Sequence, residues 1–177
     1  MKTNFIQSAL KRAIVSAITL WLTMLGTQSH ADTGTLIMNV SATVRHSCSI
    51  DTTPMAFGTY DGVVANASTT LNATATIIST CTSGAAAQIK MNAGAYEGSG
   101  STDVPVRRMT AGPGKYLDYQ VYSDVARETV WGNTDPTGVA LTGTGVPQSL
   151  TVYGSIPSAQ IVPEGDYSDQ IYVTIIY

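Results

Sequence analysis

The chain is 177 residues long, with 9 Lys and Arg against 12 Asp and Glu; 44% of its residues are hydrophobic and only 12% are charged. A globular domain ordinarily carries about 25% charged residues, and the deficit here is filled by Thr, Ser, Ala and Gly. The six basic residues scattered after position 12 form no stripe, so no nucleic-acid partner is expected, and the chain is too apolar for a charged disordered tail.

The first residues stand apart. Lys2, Lys11 and Arg12 precede an apolar run over residues 13–25, which ends at Gly26 and the small-residue sequence Ser29, His30, Ala31. The thirteen residues of that run fall short of the about 20 that cross a bilayer as a helix. A positive segment, a short apolar segment and an A-x-A-like site read as a secretory signal peptide over residues 1–31, cleaved between Ala31 and Asp32. The mature chain then has 146 residues and a formal charge of −6, from six basic and twelve acidic side chains. Export also governs the cysteines, because Cys48 and Cys81 enter an oxidising compartment where a disulfide is the default. A structural zinc takes about four ligands, and beyond those two the mature chain offers only His46. No metal and no cofactor are expected.

From residue 35 onward the apolar period is two. Leu36, Met38, Val40, Ala42 and Val44 alternate with Ile37, Asn39, Ser41, Thr43 and Arg45, and residues 35–44 would reach about 33 Å as a strand. This segment precedes the disulfide loop, so it reads either as an ordinary first strand or as one that pairs with another molecule. Further apolar faces follow at Leu71, Ala73, Ala75 and Ile77, at Ile89, Met91 and Ala93, and at Leu117, Tyr119 and Val121. Leu150, Val152 and Ile156 form another, and Ile171, Val173 and Ile175 the last. Each has a polar opposite side, as half-buried antiparallel strands do. Turn signals separate them, among them Thr53 and Pro54, Asp61 and Gly62, Gly112 to Gly114, and Pro163 to Asp166. Seven or so short strands with no helical repeat predict an all-β sandwich. Residues 95–115, rich in Gly and Ser, read as an exposed loop or hairpin excursion.

Acid–base or nucleophilic chemistry has little to recruit. His46, the one histidine of the mature chain, alternates onto the face of Cys48 and reads as a polar strand residue. The Gly-x-Gly pairs lack a strand-to-helix context and read as turns. Sequons at Asn39, Asn66 and Asn72 are frequent by chance in so Thr-rich a chain. Asp166 and Asp169 flank a turn and read as solvating it. The chain is therefore not expected to be an enzyme. Tyr116, Tyr119, Tyr122 and Trp131 offer an alternative, a carbohydrate platform on a self-contained secreted sandwich. The final segment, residues 170–177, is again an alternating strand. Either the N-terminal strand folds back to close the sandwich beside it, or the sandwich stays open until a partner supplies a strand.

Several blocks in order carry a resemblance. Cys48, Ser49 and Ile50 follow the short N-terminal strand, residues 117–124 are followed by Trp131 and Gly132, and residues 152–157 and 165–177 complete the set. Together they resemble the spore coat protein U domain family, which includes the pilins of archaic chaperone-usher systems. The resemblance spans about residues 35–177. It implies an incomplete immunoglobulin-like β-sandwich over residues 45–177, completed by a donor strand from a periplasmic chaperone or from the N-terminal extension, residues 32–44, of an identical or related subunit. An outer-membrane usher would catalyse the exchange and secrete the fibre. Carried onto this sequence, the resemblance makes Leu36, Met38, Val40, Ala42 and Val44 the donor face, and Cys48 with Cys81 the disulfide that ties down the start of the fold. Ile171, Val173 and Ile175 line one edge of the acceptor groove, with the Tyr177 carboxylate available to a chaperone cation. The implied role is a structural subunit of a surface pilus, exported through the periplasm, in adhesion and biofilm formation, with a spore or cell coat as the alternative within the family.

Overall fold

A computed structural model describes residues 31–177, so all of the expected signal peptide except Ala31 lies outside the described residues. The chain divides into two units, residues 1–42 and residues 43–177. In the first, residues 31–42 form no strand, and Leu36, Met38 and Val40 are exposed. The alternation at residues 35–44 therefore does not produce a strand within the single chain, since an isolated strand leaves its backbone groups unpaired.

The second unit is built from eight strands: Cys48–Thr52 (β1), Leu71–Cys81 (β2), Ala86–Met91 (β3), Arg107–Thr110 (β4), Tyr116–Tyr122 (β5), Val139–Thr142 (β6), Gln148–Ile156 (β7) and Val173–Ile176 (β8). They pair antiparallel into a five-stranded sheet, β1-β2-β7-β5-β4, and a three-stranded sheet, β6-β3-β8. The apolar faces expected from the alternation point inward and meet in one core of Ile77, Ile89, Met91, Leu117, Tyr119, Val121, Trp131, Val152 and Ile156. Each such side chain contributes about 1.5–3 kcal/mol on burial.

The registers give the sandwich two distinguishable ends. Cys48 faces Cys81, Ser79 faces Gln148, and Ile176 faces Gln88 at one end, here called the base. Leu71 faces Ile156 and Thr110 faces Tyr116 at the other, the crown. The Cys48–Cys81 disulfide closes the base, and Ile175 packs beside it with Ala85 and Ala87.

Three expectations are corrected here. The excursion expected over residues 95–115 does include a hairpin arm, β4 paired with β5, but it is not all exposed, and the two arginines of β4 gave no apolar alternation to read. Its Arg107 is fully buried. The guanidinium donates from Nε to the Asn92 carbonyl (2.9 Å), from Nη2 to the carbonyls of Met91 (3.1 Å) and Trp131 (2.7 Å), and from Nη1 to Gln120 Oε1 (2.5 Å). Burial lowers its pKa to about 10 against the opposing pull of Tyr119 and Asp169, which leaves it charged at neutral pH. The aromatic platform does not exist either. Trp131 is 1% exposed, with Nε1 donating to the Ile89 carbonyl (2.8 Å), and Tyr119 is buried in the same core. Finally, His46 is exposed and precedes β1 instead of lying in a strand.

Replacing Arg107 with Ala would strip the buried carbonyls of Met91 and Trp131 and the half-buried one of Asn92 of this donor, and unfolding free energy should fall by about 3–5 kcal/mol in chemical denaturation. Arg107→Lys, a single point charge without the planar fork, should restore little of it. Reducing the disulfide, which closes a separation of 33 residues, should cost roughly 3.7 kcal/mol in the same assay.

Candidate binding groove between the sheet edges

Strand β8 pairs with β3, and among the described residues no strand pairs with its other side. Tyr172 just before it donates its N–H to Asn92 Oδ1 (2.8 Å) and accepts from the Asn92 N–H (3.2 Å). Backbone groups alternate in direction along an antiparallel strand. Those of Ile171, Val173 and Ile175 consequently point away from β3, to the open side. On the larger sheet the corresponding edge is β1, paired with β2.

A groove of about 330 Å³ lies between these edges, walled by residues 52–55 on one side and by Tyr167, Ser168, Asp169, Ile171 and Val173 on the other. Its floor is the core itself, with Ala75, Ile77, Met91, Tyr119, Val121 and Val152. A second cavity of about 690 Å³, between residues 55–63 and residues 160–167, shares Met55, Met109 and Tyr167 with the first and continues it toward the crown.

Ile171 and Val173 line this groove, while Ile175 lies lower, against the disulfide. Tyr177 is exposed just past β8. Leu36, Met38, Val40, Ala42 and Val44 are all exposed, as are Ala31 and Asp32 at the expected cleavage point. Among the described residues, no group of three or more His, Cys, Asp or Glu is placed to hold a metal ion.

One polar arrangement in the groove corrects the reading of Asp169 as a solvated turn residue. Its Oδ2 accepts from the Tyr119 hydroxyl (2.7 Å) and its Oδ1 from the Ala95 N–H (2.9 Å). Gly94 makes room for it: at φ +89°, a Cβ there would stand 2.0 Å from Oδ2. Burial first, then the bond to Asp169, raises the Tyr119 phenol pKa well above the usual tyrosine range. This clasp fixes the segment leading into β8 to β5 and to the turn after β3. Sequence reasoning missed it because the partners are 50 residues apart, and it missed Met55 because the stretch after Pro54 does not alternate. The one available signal was the glycine at position 94.

The chain matches the Spore Coat Protein U domain over residues 34–174. It is 37% identical over 178 aligned residues to Protein U of Myxococcus xanthus, covering 96% of this chain and 99% of that protein. Among solved structures it is similar to the CsuC–CsuE chaperone–tip adhesion subunit pre-assembly complex from the archaic chaperone-usher Csu pili of Acinetobacter baumannii, with a TM-score of 0.54 and 19% identity. That match covers 76% of this chain and 40% of the other, and the likeness is one of fold.

Tyr119→Phe leaves Asp169 with the Ala95 N–H alone, and stability at neutral pH should drop by about 1.5–3 kcal/mol. The folded tyrosine keeps its proton where the unfolded one releases it, so this contribution is complete below pH about 10 and is lost as pH rises above it. Urea midpoints of the two proteins should therefore stay apart up to about pH 10 and converge only as pH is raised further, at about 1.4 kcal/mol per pH unit.

Proposed function

The chain belongs to the spore coat protein U domain family, and we propose that it is a structural subunit of a secreted surface fibre, assembled by exchange of donor strands between subunits. The observation that carries this reading is the groove: an unpaired edge on β8 beside a floor of core side chains. Residues 32–44 are the matching half of the device, an exposed segment with five apolar side chains at period two. Burying Leu36, Met38, Val40, Val44 and the small Ala42 contributes roughly 7–12 kcal/mol before ordering costs, enough for a slowly dissociating contact. Until a neighbour arrives, the same groove needs a periplasmic chaperone to cover it, because an exposed apolar cleft aggregates. An outer-membrane usher then exchanges one strand for the other, and the fibre serves adhesion and biofilm formation.

Symmetry selects the direction of the donor. The N-terminal extension leaves the fold at Cys48, at the base, and β8 runs from the crown side toward the base. A donor lying parallel to β8 would bring base against base, an isologous arrangement that closes into a dimer. Antiparallel to β8, it brings the base of one copy onto the crown of the next, a head-to-tail contact that repeats without closing. A fibre therefore uses the antiparallel strand.

The coat reading keeps the same joint but spreads the subunits over a cell or spore; the description of the family and the end-to-end similarity to Protein U favour it. Labelling with antibody on intact cells separates filaments from a continuous layer. For the joint itself, Val40→Asp in the full chain should reduce surface polymer at least tenfold while the exported subunit is still recovered with its chaperone. Polymer at the unaltered level would exclude the even-numbered face and point to Ile37 and its neighbours.

A further inference from the structure

The groove has a polar point in an apolar wall, and the donor segment has a small residue in a row of large ones. Resting on the donor-strand reading above, we propose that these two irregularities meet and set the register: Leu36 opposite Ile175, Met38 opposite Val173, Val40 opposite Ile171, Ala42 opposite Asp169 and Val44 opposite Tyr167, on the next copy.

Directly opposed residues of an antiparallel pair point to the same face. The inward positions leading into and along β8 are odd-numbered, with Ile171, Val173 and Ile175 half-buried while Tyr172, Thr174 and Ile176 are exposed. The apolar donor positions are even-numbered. A pair that keeps both sets inward can shift only in steps of two residues. Three alignments then span the groove. Moving the donor one step toward the crown or toward the base from the proposed alignment puts Val40 or Val44 on Asp169, and the branched side chain covers a carboxylate already held by Tyr119 and Ala95. Covering it removes what water it retains, which is costly for a charge. In the proposed alignment a single methyl group faces it, and the three longest-reaching apolar matches, Leu36 with Ile175, Met38 with Val173 and Val40 with Ile171, form together.

Asp169 is rigid enough to act as a gauge, since both its oxygens are bonded and Gly94 seats it. The alignment also brings Val44 to Tyr167, where the groove opens into the second cavity. Residues 45–47 of the donor copy enter that cavity, because the four Cα steps from Val44 to Cys48 reach at most about 14 Å.

Cysteine pairs in the full chain read the register directly, since opposed residues stand about 4.5–5.5 Å apart at Cα, within disulfide range. Polymer is assembled in producing cells from Met38→Cys combined in turn with Ile171→Cys, Val173→Cys or Ile175→Cys, oxidised and run without reductant. A covalent ladder is expected with Val173→Cys and at least tenfold less with the other two. A ladder centred on Ile171→Cys or Ile175→Cys, equal ladders in all three, or polymer without any ladder would each overturn the register while leaving strand donation standing. Absence of polymer from the unaltered chain would remove the donor-strand reading and the register with it. As a second measure, Ala42→Leu should lower polymer yield about tenfold and Ala42→Gly should not; equal yields would assign Ala42 no part in the alignment.

Discussion

A sandwich is held together by covering the inner faces of both its sheets, and here a sheet of five strands is faced by a sheet of three. Apolar surface left uncovered is worth about 25 cal/mol per Å², so the difference in width has to be met from elsewhere in the chain. Two irregular segments meet part of it. Residues 53–60 bring Met55 and Phe57 against the core, with the Phe57 ring edge-on to Tyr119 at 6.2 Å. Gly154 makes this possible, because a Cβ there would lie 2.2 Å from the Met55 sulfur. Residues 167–173 cover another part from the opposite side. What neither covers is the groove, so the site follows from the strand count and not from any single residue.

Because the irregular segments lack a continuous ladder of their own, polar contacts hold them. Arg107 ties β4 to the carbonyls at the end of β3 and at Trp131, and Asp169 ties the approach to β8 to β5 and to Ala95. A bridge between Thr110 and Ser168 links the two regions through backbone bonds of 2.9 and 3.0 Å. Opposite charges in one core, each hydrogen-bonded on several sides, keep the wall of the groove from collapsing onto its floor. Such groups are costly to bury singly and rigid when satisfied, and a groove that must accept a strand needs a rigid wall more than it needs a deep one.

The sandwich was legible in the sequence wherever one face of a strand is apolar. Leu117, Tyr119 and Val121, or Val152 and Ile156, announce their burial by alternation alone, and Cys48 with Cys81 follow from export and number. Strand β4 was not legible, because Arg107 is buried by hydrogen bonding and no period encodes that. Val139 and Leu141 of β6 make too short a run to separate from the turns around them. Near the groove, the spacing of Ile171 and Val173 gave an alternating apolar face, and only the family resemblance set that face beside a groove. The roles of Asp169 and Gly94 depend on a contact across 74 residues and on a backbone angle, neither of which leaves a local pattern. Trp131 misled in the opposite way, as an aromatic residue near a turn that a surface reading would expose and the core instead takes in.

The disulfide at the base has a mechanical consequence. Any tension along the N-terminal extension enters the folded unit through Cys48, at the beginning of β1. From there it passes through a covalent bond to Cys81 at the end of β2, an eleven-residue strand paired along most of its length with β7. The load thus bypasses the five-residue β1 and is spread in shear over the longest ladder among the described residues, where many hydrogen bonds must yield together, instead of unzipping an edge strand one bond at a time.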